Sequence, residues 1–329
     1  MSCDLSKKFI KVDHVGENLL VNQMESTLKT YLDWGLLSVG GWTNIETPTP
    51  GAFGGTFDTL RAVSDPAYTD GQVWESVRKD WVWETGMDYS GVLSNGDPTG
   101  VEPIQITGVS IDGTTYGTGN ATYGHHYNYP LGRVVFDNPI STTDTVKVEY
   151  SYRNVQVYVA DEAPWWDELQ YNSLRVDDTY YSSTGSGSWG ILANHRVQMP
   201  AIVLETVPRR RFKPYQLGDT SQFVQQDIVF HIVGENRWWR NQLVDILSYQ
   251  IDSQVWLFKT DTLIESGAYP LDYRGMKVAS PLNYNNVVNT PQYRYLLARM
   301  TDMSITEMES YDARLHEGTV RATLEVVLD

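Results

Sequence analysis

The sequence predicts an α+β fold: a C-terminal mixed sheet with a helix packed on one face, preceded by an N-terminal helix and a β-rich module. Three observations predict it. Near the C-terminus Val320, Ala322, Leu324, Val326 and Leu328 alternate with polar residues up to Val327, the period of a strand with one buried face. Between residues 235 and 250 the apolar residues Trp239, Leu243, Ile246 and Leu247 recur at helical spacing. Across residues 196–329 the order reads β-β-α-β-β-β with long loops, which describes a sheet with a helix laid on one side.

Taken in order, residues 17–37 predict one amphipathic helix. Leu20, Met24, Leu28, Tyr31, Leu32 and Leu36 form its stripe, and Gly35 and Gly40-Gly41 mark its end. Residues 43–100 are rich in Pro, Gly, Thr and Asp and read as short elements joined by loops, with Trp74, Trp81 and Trp83 standing out. The first segment is therefore 1–100. A β-rich module follows over 101–195. It offers strands at 103–109 and 132–136 and a hairpin turn at Asp112-Gly113. Its clearest strand runs from 145 to 159. There Val146, Val148, Tyr150 and Tyr152 alternate with polar residues before Val155, Val157 and Val159 take the odd positions. A bulge near Arg153-Asn154 would explain that change of phase. Residues 161–170 predict a short helix, and 182–190 a Gly/Ser-rich loop or hairpin tip. In the third segment, 196–329, strands are expected at 198–207, 221–233, 254–259, 293–300 and 319–328, with the helix at 235–250.

Composition narrows the function. The chain has 329 residues and 41% of them are apolar, enough for a substantial core. Its 11 Trp and 21 Tyr outnumber the 8 Phe, which suits surfaces buried on one side and wet on the other, such as subunit interfaces or sugar grooves. The net charge of −16 argues against coating DNA, although an acidic wall lets DNA slide through without sequence-specific contact. One cysteine, Cys3, excludes an internal disulfide framework and fits a reducing cytoplasm. Neither a signal-peptide pattern nor an apolar run of membrane-spanning length is visible, so no membrane partner is expected.

Motifs for chemistry are missing. The histidines at 14, 125, 126, 195, 231 and 316 form no zinc-binding spacing, and His125-His126 on a strand would face opposite sides. There is no nucleophile elbow, no phosphate-binding loop and no dinucleotide-binding glycine run. No catalytic residue, cofactor or metal ligand is expected, and the chain is read as non-enzymatic. Interface candidates do stand out. Arg209, Arg210 and Arg211, with Lys213, form the one dense basic cluster of an acidic chain; it reads as a solvated turn near Pro208 and Pro214, as a phosphate contact or, favoured by charge complementarity, as an electrostatic latch onto an acidic neighbour. Replacing the three arginines with Glu is expected to weaken oligomerisation. Trp165, Trp166 and Trp189 are candidates because of their rings. In Trp238-Trp239-Arg240 one helix face cannot bury both tryptophans, so Trp239 is assigned to the core and Trp238 to an interface.

The run of elements from Pro200 to Lys259, with Ile228-Val229-Phe230-His231-Ile232-Val233, Trp256-Leu257-Phe258 and the closing strand from Gly318 to Val327, resembles the head-to-tail connector and tail-completion proteins of tailed bacteriophages. The tail-terminator and sheath-stabiliser group is the most similar. The segments Leu131 to Asp137 and Val146 to Tyr150 also resemble β modules of phage virion proteins. The resemblance implies a virion protein assembled in the host cytoplasm. It would form a hexameric ring at the neck or top of the tail, touching other neck, tube or sheath proteins, with DNA passing through. The long N-terminal half departs from the compact members. A carbohydrate-binding adhesin or baseplate component of the tail is the alternative, and a glycoside hydrolase a more distant one. Residues 43–100 and 259–292 are expected to find little to pack on within one chain, and to be protease-sensitive in the isolated subunit.

Overall fold

The computed structural model describes residues 20–45, 47–49, 52–55, 58–76, 78–84, 103–160, 199–214, 221–310 and 315–328. The fold is α+β, as expected. Helix α1 (Leu20–Ser38) buries Leu20, Met24, Leu28, Leu32 and Leu36 against the C-terminal sheet. It stops because Gly40 takes a left-handed φ of 85° and lets the Gly41 N–H reach the Leu36 carbonyl at 2.8 Å.

The β module is built from very short strands. One four-stranded sheet runs Arg61–Ala62, Val73–Glu75, Arg133–Phe136, His125–Asn128. A second runs Asp58–Thr59, Val146–Val148, Val109–Ile111, Thr114–Tyr116. Asp112 and Gly113 turn the last pair with φ of 48° and 88°, the positive values that a two-residue hairpin needs. His125 is buried and His126 half-buried, as expected for neighbours on a strand. Between the sheets lies an aromatic core that includes Trp74, Trp81, Trp83, Tyr127, Tyr129, Phe136 and Tyr150.

Two strand expectations need correction. The first module strand begins only at Val109, and residues 103–108 lie outside any strand. The long strand at 145–159 is three strands in three sheets: Val146–Val148, Ser151–Arg153 and β1 (Gln156–Val159). The buried positions change from Val146, Val148 and Tyr150 to Ser151, Arg153 and Val155. The phase therefore switches at Tyr150-Ser151, where the chain leaves one sheet to pair with Trp42–Asn44, and no bulge near 153 is needed.

The C-terminal sheet comprises β1, β2 (Ala201–Pro214), β3 (Gln222–Gly234), β4 (Gln254–Phe258), β5 (Arg294–Ser310) and β6 (His316–Leu328). Their spatial order is β1-β2-β3-β6-β5-β4. Only β1–β2 is parallel, which makes the sheet mixed. Helix α2 (Arg237–Ser248) lies on one face. It is capped by Asn236, whose side chain accepts from the Trp239 N–H. Its buried residues are Arg240, Leu243, Val244 and Leu247. Trp239 is thus only half-buried, contrary to its assignment to the core. The Arg240 stem takes that position and its guanidinium reaches the Glu317 carbonyl, an amphipathic use of a long side chain.

The segment after β4 is packed, against expectation. Helices α3 (Thr260–Glu265) and α4 (Tyr284–Asn289) bury Leu263, Tyr284 and Val287 in the C-terminal core, and Tyr284 meets Tyr31 of α1 edge-on at 5.3 Å. The described parts of 43–100 likewise pack inside the chain through Leu60, Trp74, Trp81 and Trp83.

Candidate assembly surfaces

The C-terminal sheet turns one face to the main core, and its opposite face carries polar side chains along most of its length and the apolar cluster of Val203, Val233 and Leu315 at one end. In β3, Val224, Ile228, Phe230 and Ile232 enter the core. The odd residues Gln225, Asp227 and His231 share the opposite face with Arg321, Thr323 and Glu325 of β6. Asp227 is the hub of that face. Its Oδ1 accepts from Thr323 Oγ1 at 2.8 Å, and its Oδ2 from Arg321 Nη2 at 2.8 Å and Arg211 Nη2 at 3.1 Å. Burial pushes this carboxyl up, but the hydrogen bonds and the Arg211 charge outweigh it and hold Asp227 below the usual carboxylate range. Further along, His231 lies 3.0 Å from Glu205 and 3.2 Å from Glu317.

The two long outer strands are only partly covered. On one side, β1 pairs β2 at Ala201–Leu204 alone. Among the described residues, nothing pairs the outer edge of Glu205–Pro214. On the other side, β4 pairs β5 between Arg294 and Arg299, and the Met300 N–H reaches the Ser253 carbonyl at 2.9 Å. Beyond that, the outer edge of residues 301–310 is unpaired among the described residues. The registers place these lengths at diagonally opposite corners. Ala201 lines up through Val233 and Glu317 with Glu309, whereas Phe212 lines up through Val224 and Val326 with Ala298. The two lengths also differ in charge. Residues 205–214 carry Arg209, Arg210, Arg211 and Lys213 against Glu205, and residues 301–310 carry Asp302, Glu307 and Glu309 without a basic residue.

The predicted interface residues fall out as follows. Arg210 gives its Nε–H to Gln226 Oε1 at 3.1 Å, and Arg211 is engaged with Asp227 while remaining half-exposed. Lys213 is exposed at the end of β2, and Arg209 lies on the same strand. Trp238 is 63% exposed and stands edge-on to Trp239 at 4.9 Å. Trp165, Trp166 and Trp189 lie outside the described residues, as do the short helix expected at 161–170 and the loop at 182–190. The structure brings the basic residues together on one edge and places Trp238 apart from them on α2. Sequence reasoning missed Asp227, its partners Arg321 and Thr323, and the acidic edge. The signal available was the run of polar residues at alternate positions in β6.

A second charged cluster lies where α1 meets the β module. Arg153 Nη1 reaches Asp80 at 3.2 Å and the Trp81 carbonyl at 3.1 Å, and its Nη2 pairs closely with Glu84. Burial raises both carboxyls, and Arg153 opposes the rise. Asp33 of α1 keeps a buried Oδ1 without a hydrogen-bond partner. Burial, opposed by Arg153, pushes its carboxyl up to about 7. Raised carboxyls also occur in active sites. Here Asp80 and Glu84 are ion-paired with one guanidinium, that of Arg153.

Among the described residues no group of three or more His, Cys, Asp or Glu could hold a metal ion, and no helix is long and apolar enough to cross a membrane. No family model matches the chain, and no curated protein matches it.

Proposed function

We propose that this chain is a non-enzymatic structural subunit of a tailed-phage virion. It forms a ring, six copies in the reading favoured by the resemblance, at the neck or top of the tail. The ring terminates the tail tube or sheath and joins it to the head connector. The observation that carries the reading is the pair of sheet edges, at diagonally opposite corners, left unpaired among the described residues. A surface whose two complementary halves lie on opposite sides of a subunit makes head-to-tail contacts, and head-to-tail contacts close into rings when the rotation per copy allows. The net charge of −16 suits a lumen through which DNA passes, because the excess of acid over base repels phosphate.

The test is the mass of the assembled species in solution, followed by electron microscopy of the particle. A closed ring of about six copies at the tail–neck junction is expected. A trimer at the tail tip would replace this reading with an adhesin. A stable monomer with glycan-cleaving activity would replace it with a hydrolase.

A further inference from the structure

We propose that neighbouring copies join by edge-to-edge strand pairing, Arg210–Pro214 of β2 in one copy against residues 307–310 of β5 in the next, basic edge to acidic edge. The inference rests on the ring reading and names the contact within it. Four observations carry it.

Direction is the first. β2 runs antiparallel to β3, β3 to β6, and β6 to β5, so β2 and β5 run in opposite senses. Two copies in the same orientation, placed side by side, therefore present antiparallel edges, and the joint continues the sheet in its own geometry. Regularity is the second. β2 is irregular between Thr206 and Arg210, and β5 between Thr301 and Ser304 and between Ile305 and Glu307. Outside those irregularities, Arg210–Pro214 pairs evenly with β3 and residues 307–310 pair evenly with β6. The regular lengths left unpaired among the described residues are thus short. Exposed apolar surface is the third. Phe212 is 55% exposed on the basic edge, and Ile305 and Met308 are 50% and 43% exposed on or beside the acidic one. Side chains that large gain from being covered.

Charge is the fourth and decides between two readings. Bulges, proline and charged residues are also how proteins blunt their edges against unwanted pairing. Blunting by charge works when the edges repel. Here they carry opposite signs, and in a chain of net charge −16 the basic edge is the exception. Opposite signs steer the edges together and fix which one meets which. Like edges, basic on basic or acidic on acidic, repel. The joint is therefore directional, and the arginine cluster finds its acidic neighbour on a second copy of the same chain.

The experiment uses three full-length variants. The first reverses the basic edge (Arg209→Glu, Lys213→Glu). The second reverses the acidic edge (Glu307→Lys, Glu309→Lys). The third carries both reversals. Arg210 and Arg211 are left in place because they bond within the subunit. Assembly is followed by sedimentation and single-particle mass, and folding by circular dichroism. Each single reversal should raise the concentration needed for assembly at least tenfold while the subunit stays folded. The double reversal should restore assembly, as should mixing the two single variants, because every joint then again meets opposite charges. Zero-length cross-linking of a wild-type mixture of light and heavy isotope-labelled copies should join Lys213 of one copy to Glu307 or Glu309 of another. Rings unaffected by either single reversal would overturn this joint while leaving the ring reading standing. Wild-type chain that stays monomeric at every concentration would overturn both.

Discussion

The two halves of the molecule solve the same packing problem with different materials. The C-terminal sheet has strands of up to 17 residues and fills its core mainly with Val, Leu and Ile. The β module has strands of two to four residues and fills its core largely with rings. Short strands offer few main-chain hydrogen bonds and little apolar area each, so large side chains bridge them. Their polar tips also find partners. Trp74 Nε1–H donates to the Gly71 carbonyl at 3.0 Å, Trp81 Nε1–H to the Arg78 carbonyl at 3.0 Å, and Tyr150 Oη–H to Asp58 at 2.8 Å. Much of the aromatic content that suggested wet interfaces is therefore internal mortar. The strand edges left unpaired among the described residues lie instead on the sheet poorer in aromatics, where long strands outrun their neighbours.

The comparison can be broken most forcefully at Trp81, which is fully buried and stacks on Tyr150 at 4.7 Å. Trp81→Ala should cost about 3–5 kcal/mol. The loss should appear first in near-ultraviolet circular dichroism of the module, while amide protection in β3 and β6 persists. Simultaneous loss of both signals would show that the two cores melt as one.

The junction between the cores gives the next effect, and its sign follows from Asp33. The folded carboxyl titrates at about 7, above its ordinary value of 3.8, so the folded chain holds a proton that the unfolded chain releases. Asp33 contributes nothing to pH dependence below about pH 4, where both states are protonated. Between about pH 4 and 7 it lowers stability progressively, and above that the cost is constant. Asp33→Asn should therefore be nearly neutral at pH 4 and stabilising by about 2–4 kcal/mol at pH 8. Denaturant melts at the two pH values measure this, and an equal effect at both would remove the burial account.

The smallest effect lies on the polar face. Asp227→Asn keeps the shape but withdraws the charge shared by Arg211 and Arg321, and should cost about 1–2 kcal/mol by thermal melting. A larger loss would mean that the polar face contributes to stability on the scale of a core.

Much of the C-terminal fold is legible in the sequence because its strands are long. Alternation over a dozen residues, as from His316 to Leu328, has one structural solution. The order of elements along the chain and the helix position follow from the same pattern, whereas the spatial order β1-β2-β3-β6-β5-β4 does not, because alternation says nothing of which strands become neighbours. Strand ends were less legible, and β2 and β5 run well past the positions expected, since their outer lengths lack a buried face to enforce alternation. In the β module a strand of three residues is too short to show a period, so Val146 to Val159 read as one element. Trp239 was misplaced because an arginine stem can occupy an apolar stripe as well as a tryptophan can. The basic cluster stood out because bases are rare in this chain. Its acidic counterpart did not, because acids are common and only the register shows which of them lie on an edge left unpaired among the described residues.

Asp227 has a consequence for how the sheet reaches its arrangement. Each face of β3 is defined by parity, so a slip of one residue against β2 or β6 would turn the strand over. It would drive Asp227 into the apolar core while turning Val224, Ile228 and Phe230 out to the opposite face. The carboxylate takes donors from β2 through Arg211 and from β6 through Arg321 and Thr323. It is satisfied only when both neighbours are aligned. A single charged side chain thus works as a proofreading pin, penalising the misaligned sheets to which long alternating strands are otherwise prone.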